Sequence, residues 1–157
     1  MNKKGFSLVE LIIVIAIMAI LVGFIAPQMI KYIERTNISS DVQLADTVRS
    51  CLLVSITDAK IVEDPASQPY LQDMEDGNGM SITNASWDGS SILEESLKDA
   101  VGLTNLSDLL LQVRSKNDSS ALDIKAYTDN NKVKVVIEGT DETGKGQFTQ
   151  ANWITVD

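Results

Sequence analysis

Glu10 is the residue whose type and place most demand a chemical reason. It stands near the start of KKGFSLVELIIVIAIMAILVGFIAP, residues 3 to 27, and no charged residue follows it from Leu11 to Pro27. An ionised carboxylate at the centre of a membrane-spanning helix costs about 2.5–3.5 kcal/mol on insertion scales. The other paired acids have ordinary explanations: Glu94/Glu95 suit the first turn of a helix and Asp141/Glu142 a turn loop. The chain contains no histidine, which removes the commonest general base, the His-containing nucleophile triads and the usual zinc ligand set. No catalytic constellation is visible, so neither an enzyme nor a cofactor is expected. Asp73, Glu75 and Asp76, with Asn78, are weak calcium candidates, because the glycine and closing glutamate of an EF-hand loop are misplaced. The plainer reading is a solvated acidic surface with no metal.

The elements around Glu10 set the class of protein. Residues 8 to 27 are twenty residues, about 30 Å as a helix, which matches the hydrocarbon core of a bilayer. Lys3 and Lys4 precede them, and the positive-inside rule then places the N-terminus in the cytoplasm and the bulk of the chain outside. Three readings compete. An ordinary secretory signal peptide has a shorter apolar core and a small-x-small cleavage site. Here the run is too long and no A-x-A triplet follows it. A simple signal anchor fits length and charge but leaves Glu10 unexplained.

The third reading is a resemblance. KKGFSLVELIIVIAI resembles the class III signal sequence of type IV pilins and of type II secretion pseudopilins. That resemblance implies a leader, residues 1–5, removed by prepilin peptidase after Gly5. Phe6 then becomes the N-methylated N-terminus and the apolar helix is retained. Glu10 corresponds to the family's acidic residue four positions after that terminus. The implied pairing sets Glu10 of one subunit against the Phe6 amine of its neighbour. Both charges are costly in lipid unless neutralised, so one axial stagger of the helices is favoured. Pro27 cannot donate an i to i−4 hydrogen bond and kinks or opens a helix. By the same resemblance, any melting on assembly is expected between Gly23 and Pro27.

Composition limits the partners. The 157-residue chain is 44% hydrophobic with a formal net charge of −9. Without Lys3 and Lys4 it carries eleven basic against 22 acidic residues, a net of about −11. Such a chain repels phosphate backbones, so no general nucleic-acid binding is expected. Cys51 is the one cysteine. It cannot form a disulfide within the chain and reads as a small buried apolar residue. The cysteine pair usual in the resembled family is absent, which suggests by analogy a major-type pilin of a Gram-positive, clostridia-like source. The Asn-x-Ser triplets at Asn37, Asn84, Asn105 and Asn117 carry no weight.

Periodicity supplies the fold class: α+β, a long N-terminal helix packed on a 3–4-stranded antiparallel sheet. One helix is expected from about residue 6 to 57, hydrophobic all round over 6–27 and amphipathic over 28–57. Its inner stripe is read as Ile30, Ile33, Leu44, Val48, Cys51, Leu52 and Ser55/Ile56, with Lys31, Glu34, Asp41, Asp46 and Arg49 opposite. Residues 58–105 form a connection between helix and sheet, with 58–90 read as a long acidic loop. Within it Ser90 or Ser91 caps a short helix, SILEESLKDAV, that ends before Gly102. Residues 106–157 carry the sheet. LLLQVRS (109–115) is a first strand or a helix extension. LDIKAYT (122–128) points Leu122, Ile124 and Ala126 inward, and KVKVVIEG (132–139) does so with Val133, Val135 and Ile137. Asn130-Asn131 turns between those two strands. TDETGKG then leads to QFTQANWITVD as the last strand.

The expected function is a structural subunit of an extracellular type IV pilus, polymerising through its N-terminal helix for adhesion, motility or surface colonisation. Its partners would be copies of itself in a helical filament, prepilin peptidase, a membrane assembly platform, and the cytoplasmic membrane before assembly. The alternative is a pseudopilin of a secretion or DNA-uptake machine. The alternative of a different class is a monomeric membrane-anchored binding module.

Overall fold

The computed structural model of the chain describes residues 7–114, 122–129, 132–139 and 154–156. Helix α1 runs Leu8–Ser55 with Pro27 inside it, as the merged periodicities imply. The chain divides into two compact units, Met1–Thr36 and Asn37–Asp157. In the first, every described residue of α1 is exposed, including Leu8, Val22 and Phe24, each more than three-fifths accessible.

In the second unit, α1 buries Asp41, Ala45, Val48, Leu52 and Ser55. These recur at steps of four and three, the period of one helix face. The stripe is rotated from the expected one. Leu44, Cys51 and Ile56 lie half-buried at its margin, while Ile30 and Ile33, over half accessible, contribute nothing to it. Asp41, expected on the polar face, is fully buried. Its Oδ1 accepts the Arg114 backbone N–H at 2.8 Å. Burying a carboxylate is tolerable only with such donors. Arg49 also departs from a solvated role, because its Nε donates to the Val133 carbonyl at 2.8 Å. Burial pushes the Cys51 thiol above its ordinary pKa, in keeping with an inert packing role.

The segment read as a loop over 58–90 contains two short helices, α2 (Ala59–Val62) and α3 (Gln68–Glu75), and an edge strand, β1 (Met80–Ser81). Asp58 caps α2 by accepting the Lys60 N–H, and a proline stands at the start of α3. These signals were present, but Asp-, Ser- and Pro-rich composition masked them because the helices are so short. Helix α4 (Ile92–Val101) begins and ends as expected: Ser91 is the N-cap, and Gly102 closes it with φ +68°. Of LLLQVRS, the described residues Leu109–Arg114 form no strand, and the alternative of a helix holds for Leu109–Gln112. A 3₁₀ turn, Leu106–Asp108, runs into helix α5 (Leu109–Gln112).

Strands β2 (Leu122–Asp129), β3 (Lys132–Gly139) and β4 (Ile154–Val156) join β1 in one antiparallel sheet of order β1-β2-β3-β4. The β2–β3 register runs from Leu122↔Gly139 to Asp129↔Lys132. Leu122, Ile124, Ala126, Val133, Val135 and Ile137 all point into the core. There they meet Leu52 and Val48 of α1, Leu93 and Leu97 of α4, and Leu109 of α5. Asn130-Asn131, TDETGKG and the beginning of the last expected strand lie outside the described residues, as do Asp141 and Glu142.

Two polar arrangements hold the connecting segment in place. Asp64 and Ser67 cap α4 from a distance. Asp64 Oδ2 accepts the Ile92 N–H at 3.0 Å, Ser67 Oγ that of Leu93 at 3.2 Å, and Ser91 Oγ that of Glu94 at 3.4 Å. Three of the orphan donors at the helix start are thereby satisfied. On the other side, Asp123, itself buried, accepts from Ser81 Oγ at 2.8 Å and Thr83 Oγ1 at 2.7 Å. Asn84 Nδ2 donates to the Leu122 carbonyl, so β1 is tied to β2 by side chains as well as by its short ladder.

The hydrogen bond from Ser67, with that from Ile92, holds the Asp64 carboxyl below its ordinary value of 3.8. Because the folded-state pKa lies below the unfolded one, Asp64 contributes stability above the ordinary carboxylate range. That contribution is lost as pH falls through its depressed value. Asp64→Ala is therefore expected to lower Tm at neutral pH, with the difference from wild type shrinking as pH falls through the carboxylate range, measured by circular dichroism melting. A second test concerns Gly79, whose φ is +79° and where a Cβ would lie 2.4 Å from Tyr127 Cε1. Gly79→Ala should cost about 1–2 kcal/mol from the left-handed backbone alone, and more from displacing the ring. Denaturant melts would read that loss.

Candidate functional site: the exposed apolar helix

Fourteen large apolar side chains between Leu8 and Ile25 are exposed on α1, and this is the one described helix long and apolar enough to cross a membrane. Thirteen of them are Leu, Ile, Val or Phe. At about 0.3–0.6 kcal/mol favourable each for membrane insertion, they supply about 4–8 kcal/mol. That exceeds the cost of Glu10 even at the bilayer centre, and Glu10 stands near one end. The carboxylate is therefore affordable in a spanning helix, though not free.

The geometry shows what Glu10 does within a single chain. Its Oε2 accepts the Ser7 backbone N–H at 2.8 Å, while the Ser7 carbonyl accepts the Leu11 N–H at 3.3 Å. Ser7 is thus the N-cap residue and Glu10 the third helical residue, the spacing of one arm of a capping box. A negative charge in this first turn also sits at the positive end of the helix dipole. Sequence reading missed this local role, although Ser-x-x-Glu before an apolar run was the signal for it. Gly5 and Phe6, expected at a cleavage site and at the methylated amine that pairs with Glu10, lie outside the described residues.

Gly23 and Pro27 are both within the continuous helix. A proline at position 27 deprives the Gly23 carbonyl of its i+4 donor and crowds it with the pyrrolidine ring. Nothing lies within 4 Å of where a Gly23 Cβ would stand, so this glycine is not imposed by packing in the single chain. The pair marks a weak turn in an otherwise strong helix, and the helix is unbroken there in this state. As for the weak metal candidates, Asp73 and Glu75 lie on α3 and Asp76 is its C-cap residue. Among the described residues no group of three Cys, Asp or Glu is placed to hold a metal ion.

Residues 1–26 match the family model described as the prokaryotic N-terminal methylation motif. The chain carries a prokaryotic N-terminal methylation motif. The type IV major fimbrial protein FimA of Dichelobacter nodosus (strain VCS1703A) is 43% identical over 67 residues, covering 41% of this chain and 41% of that protein. A fimbrial protein of Moraxella nonliquefaciens is 29% identical over 142 residues, covering 83% of this chain and 88% of that protein. The chain thus spans about two-fifths of the length of the FimA relative and most of the Moraxella one. No solved structure matches the chain with significance. The matched residues 1–26 include Glu10 and most of the exposed apolar stretch of α1.

Proposed function

We propose that this protein is a structural subunit of an extracellular type IV pilus, and that it polymerises by bundling α1 helices. One observation carries the reading: the stretch Leu8–Pro27 of α1 is exposed and apolar on all sides but for one carboxylate, Glu10 in its first turn, shortly after Lys3, Lys4 and Gly5 in the sequence. A helix of that kind has two favourable surroundings, lipid or other helices like it. In this reading the membrane holds the subunit first, with its N-terminus in the cytoplasm, and the fibre core holds it afterwards.

The steps are those the resemblance implies. Prepilin peptidase cuts between Gly5 and Phe6, and the new Phe6 amine is methylated. A membrane platform then moves the subunit into the growing fibre, where Glu10 meets the Phe6 amine of a neighbour. Opening of the helix between Gly23 and Pro27 on assembly uses a turn that already lacks one hydrogen bond. The subunit is structural rather than enzymatic, as its pilin relatives imply. Those relatives are named for fimbriae, which favours a pilus over a secretion or DNA-uptake pseudopilus and over a monomeric anchored module.

Two outcomes test this. Glu10→Ala and Glu10→Gln should each reduce sheared surface fibres at least tenfold by electron microscopy, while the subunit still accumulates in the membrane. Unchanged fibres with either variant would remove the pairing. Gly5→Trp should leave a full-length precursor in membranes, seen as a mass larger by the five-residue leader; normal processing would overturn the peptidase assignment.

A further inference from the structure

On the Asn37–Asp157 unit a cleft of about 490 Å³ opens between α3, β1 and the segment leading to α4, with Tyr70, Asp73, Ser81, Ser86 and Asp88 among its walls. Its size is that of a small-molecule site. We propose that this cleft binds an organic ammonium cation, a quaternary ammonium or alkylammonium group. The inference is independent of the filament reading.

The argument is one of hydrogen-bond accounting. Most hydroxyls lining the cleft have already donated their protons. Tyr70 Oη donates to the Ser86 carbonyl at 3.2 Å, Ser81 Oγ to Asp123, and Ser90 Oγ to Asp88. The other polar side chains among the lining residues are the carboxylates of Asp73 and Asp88 and the Ser86 hydroxyl, and none of the lining residues is basic. A neutral sugar needs donors as well as acceptors from its site, and an anion needs positive charge. A cation needs neither.

The aromatic wall points the same way. Tyr70 stacks on Trp87 with ring centroids 4.1 Å apart and planes 27° from parallel. The Trp87 Nε1–H is anchored to the Ile82 carbonyl at 2.8 Å, so the pair is fixed in place. A tyrosine ring beside carboxylates is a favourable surface for an alkylated ammonium, which gains from the ring quadrupole and from the charges together. Burial pushes the Tyr70 phenol above its ordinary pKa, and the negative charges of Asp88 and Glu94 add to that shift. The Ser90 hydroxyl and backbone N–H hold the Asp88 carboxyl below its ordinary pKa, so it is charged at neutral pH.

The full chain in detergent micelles is titrated with choline, with n-butylammonium and with 3,3-dimethyl-1-butanol, the uncharged isostere of choline, by calorimetry and protein-observed NMR. Saturable binding of either cation, at least tenfold tighter than the alcohol, is expected. Preference for choline would identify a quaternary headgroup as the source, and preference for butylammonium a lysine-like amine. Asp73→Asn, whose side chain makes no hydrogen bond among the described residues, and Asp88→Asn should each weaken binding at least fivefold, and Tyr70→Leu should do likewise. Variants whose thermal melts match wild type but which bind equally well would overturn the site. So would equal binding of the alcohol, binding of methyl glucoside in place of the cations, or no saturable cation binding at all.

Discussion

A helix apolar on every side cannot remain in water, and the rest of this protein is arranged around that fact. Burying one Leu or Ile side chain is favourable by about 1.5–3 kcal/mol, and the chain exposes fourteen large apolar side chains between Leu8 and Ile25. No local hydrogen bond competes with a driving force of that size. The Asn37–Asp157 unit has its own core and needs nothing from the apolar segment to close it. The two tasks, folding and finding a non-aqueous surrounding, are thus separated along one chain, and α1 serves both.

The folded unit is held without a covalent staple within the chain. Cys51 is half-buried and free, so the segment between α1 and β2 must be fastened by other means. It is fastened by carboxylates and hydroxyls set against backbone donors. Asp64, Ser67 and Ser91 complete the start of α4, while Asp123 gathers Ser81 and Thr83 at the sheet edge. Glu94, buried with Lys98 beside it, also accepts the Gly89 N–H at 2.7 Å. Each such bond nets about 1 kcal/mol, but losing one partner strands a buried polar group and costs more. The acidic character of residues 58–99 is therefore partly structural rather than wholly a solvated face.

The legible part of the sequence was the part governed by local periodicity. The alternation in LDIKAYT and KVKVVIEG placed β2 and β3 to within a residue, and Ser91 with Gly102 marked both ends of α4. The illegible part was governed by long-range partners. Asp41 reads as polar surface until Arg114, 73 residues away, supplies an N–H. β1 is two residues long, too short for any alternation to register, and exists because β2 offers it an edge. LLLQVRS has the composition of a strand, yet Leu109–Gln112 is helical and packs Leu109 into the core. At the candidate site, the apolar run and Glu10 were plain from sequence. The bond from Ser7 was less plain, because a carboxylate in the first turn of a helix suits a local cap and an intermolecular charge equally well.

That bond bears on how the proposed fibre forms. A carboxylate in the first turn of a helix is worth about 0.3–1 kcal/mol, and here one carboxylate oxygen of Glu10 accepts the Ser7 N–H. In an apolar bundle, a charged amine and a charged carboxylate each carry a burial penalty of several kcal/mol unless paired. The second quantity exceeds the first, so giving up or sharing the cap to meet a neighbour's amine is favourable overall. The cap also has a use before assembly, because it keeps the carboxylate folded back on the first turn of its own helix. Glu10 would then pass from a weak local bond to a stronger intermolecular one, and only the helix stagger that brings the two charges together would permit the exchange.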